Sequence, residues 1–539
     1  MVGNPSPIKW RVCYWIENVL VNLKPRSGKI GMNMIEIDML FVRRIDMSNI
    51  VPQTNKTEMK KSTLLVVAAI VLLTVGSFFY FRSGTEVEST RFTEQNTNVD
   101  SDIEEQKPLN AYGKLDDSCD VKGINGGGEL VSGSQVANLA QGDTINLRDF
   151  GVIGNGKNET VGFQKALNAA VGKVLFIPKQ KGSYYLTRQL LIPSNSTLVF
   201  ESGTIVQATD NLKQSHANFE ALFRIQNADN VIIKGNSALL RMNKSAYKGE
   251  HNHIFMINGS SNVTINNVKA NNSGGDGFYI GAYKTKRRFS ENIKIRNVSA
   301  DNNRRQGISV ISARNLIVED CEFSNSNGAL PEAGVDVEPS LPSDIIEQVR
   351  FINCIAKGNN AWGFCVALIK ADNTSKPVDI IFENCKAIDN KVGFTNRYFS
   401  EASSGLVRFI DCVAENSHEA GFWEVACAAS GAAKEYNRCI TINSNIGSTA
   451  TDMYRQYAGF RISNLKSRTK KVLGNSTFTD CRAIKSSKNS RMDYGISTLD
   501  KASYQKVRIS NFVSQGHDKK DINLGVKDFV SKEGISVIR

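Results

Sequence analysis

The chain has 539 residues, 41% of them hydrophobic, and a net charge of +13 from 66 Lys/Arg against 53 Asp/Glu. That apolar content is ordinary for a folded protein and excludes a wholly disordered chain. Ten basic and five acidic residues fall in the first 61, leaving +8 for the rest. With no zinc-finger spacing and no aromatic-plus-basic RNA motif, so mild an excess gives no nucleic-acid partner.

Residues 1–58 are basic, with scattered Trp, Pro and Met, and read as a mis-called start or a disordered stretch. N-terminal sequencing that recovers them would remove the first alternative. Met59 then opens MKKSTLLVVAAIVLLTVGSFFYFRSG, in which two lysines precede a largely apolar run from Thr63 to Phe81. This is the charge plan of an export signal. The run is close to the ~20 residues that span a bilayer, and no A-x-A cleavage site comes after it. Residues 59–82 are therefore expected to be a signal-anchor helix in preference to a cleaved signal peptide. Either form gives N-terminal membrane contact or processing, with the rest of the chain exported, anchored outside the cytoplasm or secreted. Residues 83–142 are expected to be a polar tether.

The folded part is expected to begin at residue 143. INLRDFGVIGNGKNETVGFQKALNAAVGKVLFIP reads as a strand, a Gly/Asn turn, a helix over Glu159–Ala170 and a second strand. The helix pattern places Val161, Gln164, Leu167 and Val171 near one face. It is expected to cap the open end of the strand-rich region C-terminal to it.

That region is a repeat. Val268, Val298, Cys321, Cys354, Cys385, Cys412, Cys439, Cys481 and Phe512 recur mostly 23 to 33 residues apart, preceded by Asn or Asp in all but one copy, where Arg438 stands. A second marker, Gly277, Gly307, Gly334, Gly363, Gly393, Gly421, Gly459 and Gly495, precedes Phe, Ile or Val each time. A fixed period of this size with short, alternating, β-branched strands predicts a solenoid of parallel strands. The Asn and Asp suit left-handed turn positions. Six cysteines on the inward ladder are expected to be small buried hydrophobes; an odd disulfide between coils would be within reach. The solenoid is expected over residues 143–515, with 516–539 a C-terminal cap or tail.

The segment Asp149-Phe150-Gly151, Gly154, Gly156, Thr160, Gln164 and Ala166 resembles the N-terminal hallmark of the pectate-lyase-like superfamily, which includes rhamnogalacturonase and tailspike-type domains. Asn155 and Asn158-Glu159 depart from its usual aspartates. The resemblance implies an all-β fold: a right-handed, single-stranded parallel β-helix with an N-terminal capping helix. It also implies a polysaccharide or oligosaccharide partner, and admits the trimers that tailspike-type domains form. The N-T-D, D-D and G-H-G signatures of galacturonases are absent.

The strand after each glycine locates the candidate site. In GVDVEP, Asp336 and Glu338 alternate with inward valines and share one outer face, with Cα atoms ~6.6 Å apart by strand rise. Two carboxyls flanking a glycosidic bond are the acid and base of a glycosidase, and a spacing of ~6.5–9.5 Å belongs to the inverting kind. Asp276, Tyr279, Arg304, Arg305, His253, Arg397 and Trp423 are expected around them as substrate-binding residues, Trp423 as an exposed platform for a sugar ring. His251 alternates outward beside His253, but the H-x-H pair has no third ligand at fixed spacing and no metal site is assigned. The basic loop Tyr283–Arg288 extends the groove toward an anionic substrate.

Three functions fit. The first is a glycoside hydrolase using Asp336 and Glu338. The second is a polysaccharide lyase or C5-epimerase acting on uronates, with Arg305, Arg397, His253 or a Ca2+ held by Asp276, Asp336 and Glu338 neutralising the carboxylate. The third is a non-catalytic glycan-binding surface protein.

Overall fold

A computed structural model describes residues 144–283, 287–446, 457–464, 472–498 and 502–517, and the strands Ile522–Asn523, Val530–Glu533 and Ser536–Ile538. The expected start, signal anchor and tether lie outside the described residues, as do Lys284–Lys286 of the basic loop.

The chain winds into a solenoid in which each full coil contributes one strand to each of three faces, and the described strands of successive coils pair in parallel. One face is an unbroken stack of twelve strands, running from Leu190–Leu191 through Phe278–Gly281, Gln306–Val310, Ala333–Val337 and Trp362–Ala367 to Ile522–Asn523. The winding continues past Gln515: Val530–Glu533 pairs with Val507–Ser510, and Ser536–Ile538 with Val513–Gln515. Those residues extend the helix by a coil.

Asn267, Asn297, Asp320, Asn353, Asn384, Asp411, Arg438, Asp480 and Asn511 all adopt left-handed backbone, with φ between 51° and 56°. Asn and Asp tolerate that region better than other side chains. Arg438 takes it too, with its guanidinium forked onto Asp411 at 2.7 Å. The glycine column is set by close approach. From Gly277 to Gly393, a Cβ would lie 2.5–2.8 Å from the carbonyl oxygen of the next glycine in the column.

Inside, like side chains stack on like. Phe364, Phe394, Phe422 and Phe460 form a column with centroids 4.7–4.8 Å apart, the spacing of the strands that carry them. All eight cysteines among the described residues are free and buried. Those of the ladder offer their thiols to carbonyls of the same or the preceding coil, as Cys412 does to Phe382 at 3.4 Å. A buried ion pair stands in this apolar interior. Glu424 and Lys434, both almost fully buried, lie 3.4 Å apart, with Ser476 donating to Glu424 at 2.7 Å and Lys434 bonded to the Gly474 carbonyl.

The capping helix α1 spans Thr160–Ala169. Its buried face is Phe163, Ala166 and Leu167; Val161 and Val171 are 70% and 44% exposed. The observed face is rotated from the expected one because Phe163 sets the contact, edge-on to Tyr185 at 6.1 Å. Glu159 accepts from the backbone N–H groups of Ile153 and Gly154 and so ties the Gly/Asn turn to the helix start. Among the described residues no helix is long and apolar enough to cross a membrane.

Candidate active site on the outer face

On the twelve-strand face, residues beside the inward ladder point outward and stack in register. Met256, Tyr279, Ser309, Asp336 and Cys365 are successive members of one outward column. Glu338 comes two residues after Asp336, just past the end of the strand Ala333–Val337. Asp276 and Gln306 occupy the position just before the glycine. Alternation therefore brings three carboxyls from sequence-distant turns onto one patch.

Arg305 sits among them. Its Nη1 donates to Gln306 Oε1 at 2.9 Å and reaches Ser309 Oγ at 3.3 Å and Asp276 Oδ2 at 3.4 Å, while Nε lies 3.5 Å from Glu250. Ser309 donates to Asp276 Oδ2 at 2.7 Å and also contacts Gln306 Oε1. Gln306 Nε2 donates to Asp336 Oδ2 at 2.5 Å. Asp336 Oδ1 is buried with no hydrogen-bond partner, and Glu338 stands two residues further along the chain. The result is one chain of contacts from Asp276 to Asp336.

These carboxyls hold protons above their ordinary range. Burial and then the field of Asp336 push Glu338 up to about 7. Burial raises Asp336 against the opposing effects of Arg305, Cys365 and Gln306. Burial raises Asp276 to about 6, opposed by Arg305 and Ser309. Asp336 and Asp276 are 2% and 0% exposed, so Glu338 is the member that solvent reaches.

His253 is buried and held neutral, its pKa driven well below 6.5 first by burial and then by Arg305. Its Nδ1 accepts from the Asp276 N–H at 3.0 Å, which puts the ring proton on Nε2. Tyr279 stacks on it at 4.8 Å. His251 turns away to His216, Nε2 to Nδ1 2.8 Å.

Arg304 is not in the site. It bonds the carbonyls of Gly249 at 3.0 Å and Lys248 at 3.2 Å and clamps that loop. Trp423 is no open platform: it is 7% exposed, Arg461 covers its face at 4.2 Å, and its indole N–H donates to Ser463. Arg397 lies two coils beyond Glu338 but packs over Trp362 at 4.4 Å and Tyr398 at 5.2 Å, with no carboxylate partner. Trp362, half-buried on the strand next to that of Asp336, is likewise covered, by Arg397.

Among the described residues no group of three or more His, Cys, Asp or Glu side chains is arranged to hold a metal ion. Arg305 lies 3.4 Å from Asp276 Oδ2, the oxygen that a Ca2+ there would take, so Asp276 does not fit that ion.

Gln306 and Ser309 escaped the sequence reading. Gln306 was findable, because it immediately precedes a column glycine, as Asp276 does.

The family described as "Right handed beta helix region" matches residues 192–337 and 229–426. The uncharacterized protein YclG of Bacillus subtilis is 27% identical over 250 residues, 41% of this chain and 42% of that protein. The chain thus matches well under two thirds of the length of that relative. Among solved structures, the A-module of the Azotobacter vinelandii mannuronan C-5 epimerase AlgE6 is 16% identical, with a TM-score of 0.55 over 73% of this chain and 98% of its own. The catalytic unit of a GH87 α-1,3-glucanase from Streptomyces thermodiastaticus is 13% identical, with a TM-score of 0.52 over 74% and 69%. At such identities the likeness speaks for the fold. Repeat, strand register and family match agree on it: the chain is a right-handed parallel β-helix protein.

Proposed function

We propose that this β-helix is an exported polysaccharide-cleaving glycoside hydrolase whose reaction centre is the Asp336–Glu338 pair. The observation that carries the reading is the placing of these two carboxyls two residues apart on an outer face of the solenoid, with burial and Asp336 raising Glu338 to about 7. It keeps an acid available near neutral pH beside an ionised carboxylate. Gln306 donates to Asp336 and favours its charged form. Glu338, the solvent-reaching partner, protonates the leaving glycosidic oxygen as the C–O bond breaks. Water adds to the anomeric carbon and its proton returns to the pair.

Charge favours hydrolysis over uronate chemistry. Asp276, Asp336, Glu338 and Glu250 surround one guanidinium, Arg305. A net acidic patch stabilises the positive charge that develops on the sugar and disfavours a second carboxylate at the scissile unit. The names of proteins sharing the fold, a glucanase and a mannuronan epimerase among them, agree with a polysaccharide substrate. Export rests on the apolar run Thr63–Phe81.

The test is full-length protein, with Asp336→Asn and Glu338→Gln variants, against a panel of neutral and uronate polysaccharides. New reducing ends without ultraviolet absorbance, lost in both variants, are expected. Absorbance from an unsaturated uronate would move the assignment to a lyase. Binding without either product, retained in the variants, would make the protein a glycan-binding module.

A further inference from the structure

Toward the capped end of the solenoid, the same outward column leads from the acidic patch to a separate cavity. Arg224 pairs in register with Met256, and Met256 with Tyr279, placing Arg224 four coil steps from Asp336. At ~4.8 Å per step that is ~19 Å along the axis. The cavity holds about 260 Å3. Its floor is Arg224, Gln226, Met256 and Asn258, and Phe219 and Tyr283 line its sides.

Two departures from the regular coil build those sides. Gln214–Ser215 and Asn218–Phe219 form an antiparallel hairpin, which carries Phe219. Opposite, Tyr283 pairs with Arg287 across a short antiparallel bridge. Gly259 makes room for that bridge: at φ 53°, a Cβ there would lie 2.6 Å from the Tyr283 Cβ and 2.7 Å from the Arg287 Cβ.

The chemistry of the lining is specific. Arg224 is the one charged residue among the described residues that line it. Its Nη2 donates to the Phe219 carbonyl at 2.7 Å and its guanidinium lies 5.4 Å from the Phe219 ring, so the group is oriented. Its Nε is buried with no hydrogen-bond partner. Glu220, the carboxylate whose field reaches it, is committed to Arg188. The Asn258 side-chain oxygen is likewise buried and unpartnered. A planar guanidinium without an acidic partner, between aromatic walls and beside two amides, has the makings of a site for a ring bearing a carboxylate.

We infer that this cavity is a distal subsite for an acidic sugar. The inference rests on the glycan reading of the outer face and narrows it: the substrate would be a heteropolysaccharide with an anionic unit several residues from a neutral scissile one.

The experiment titrates galacturonate and glucuronate, each against its uncharged methyl ester, into full-length protein by saturation-transfer NMR. A preference for the free uronates of about tenfold or more is expected from a charge-assisted pair. It should vanish in Arg224→Gln. It should also vanish in Asn258→Asp, which keeps the arginine and its packing but places a carboxylate in the cavity. The Asp336→Asn/Glu338→Gln double variant should keep the full preference, so loss of cleavage and loss of this subsite are read separately. Equal binding of acid and ester, no binding of either, or an unchanged preference in correctly folded Arg224→Gln would overturn the inference.

Discussion

Replacing Glu338 with Gln should abolish cleavage and yet stabilise the protein above neutral pH. The Glu338 carboxyl is raised from an ordinary 4.5 to about 7 by burial and by Asp336. Its folded-state pKa therefore lies above its unfolded one. The native state holds the neutral acid without penalty below pH 4.5, loses stability as pH rises through 7, and carries the whole penalty beyond it. A shift of that size corresponds to roughly 3 kcal/mol at ~1.4 kcal/mol per tenfold; solvent access to Glu338 reduces this to roughly 2 kcal/mol. Glutamine carries no charge. Urea unfolding of wild type and Glu338→Gln at about pH 4 and pH 8 measures the difference. The curves should coincide at the lower pH, and the variant should be more stable by about 2 kcal/mol at the higher. A variant equally destabilised at both values would refute the raised Glu338 carboxyl.

Asp336→Asn should lower turnover by about 10^2–10^4-fold while leaving the circular dichroism spectrum unchanged, since the side chain is replaced isosterically beside Gln306. Lys434→Met should cost about 3–5 kcal/mol by stranding the buried Glu424 charge; adding Glu424→Gln should recover most of it, and denaturant midpoints of both variants check this. Gly363→Ala places a Cβ 2.5 Å from the Gly393 carbonyl oxygen and should cost at least ~1–3 kcal/mol, read as a lower melting temperature. Above pH 6, Asp276→Asn should stabilise for the same reason as Glu338→Gln, because the Asp276 carboxyl is raised to about 6 chiefly by burial; a melting-temperature series from mildly acidic to mildly alkaline pH tests it.

The fold was legible because it is written many times. One strand–Asn–ladder–turn–glycine unit could be ambiguous, but the recurrence of Cys321 through Cys481 fixed the coil frame, and even the Arg438 exception adopts the left-handed turn its position demands. The pairing of Asp336 with Glu338 was legible for the same reason, from strand alternation. What alternation does not contain is rotamer and cover. It could not show that Arg304 and Arg305 diverge to a loop and to the site, or that Arg461 roofs Trp423. The helix face was misjudged because the apolar pattern of Val161 and Val171 competed with Phe163, and only the Tyr185 edge decides between them.

The cysteine column has a use beyond filling space. Each of Cys321, Cys354, Cys385, Cys412, Cys439 and Cys481 belongs to a different coil, and none is accessible in the native state. Burial also holds five of these thiols well above 9, where they are poor nucleophiles. A small alkylating reagent can reach one only when its own coil loosens. Because a solenoid coil leans only on its neighbours, the six labelling rates form a set of depth gauges along the axis, reading out by mass spectrometry where the rod frays first.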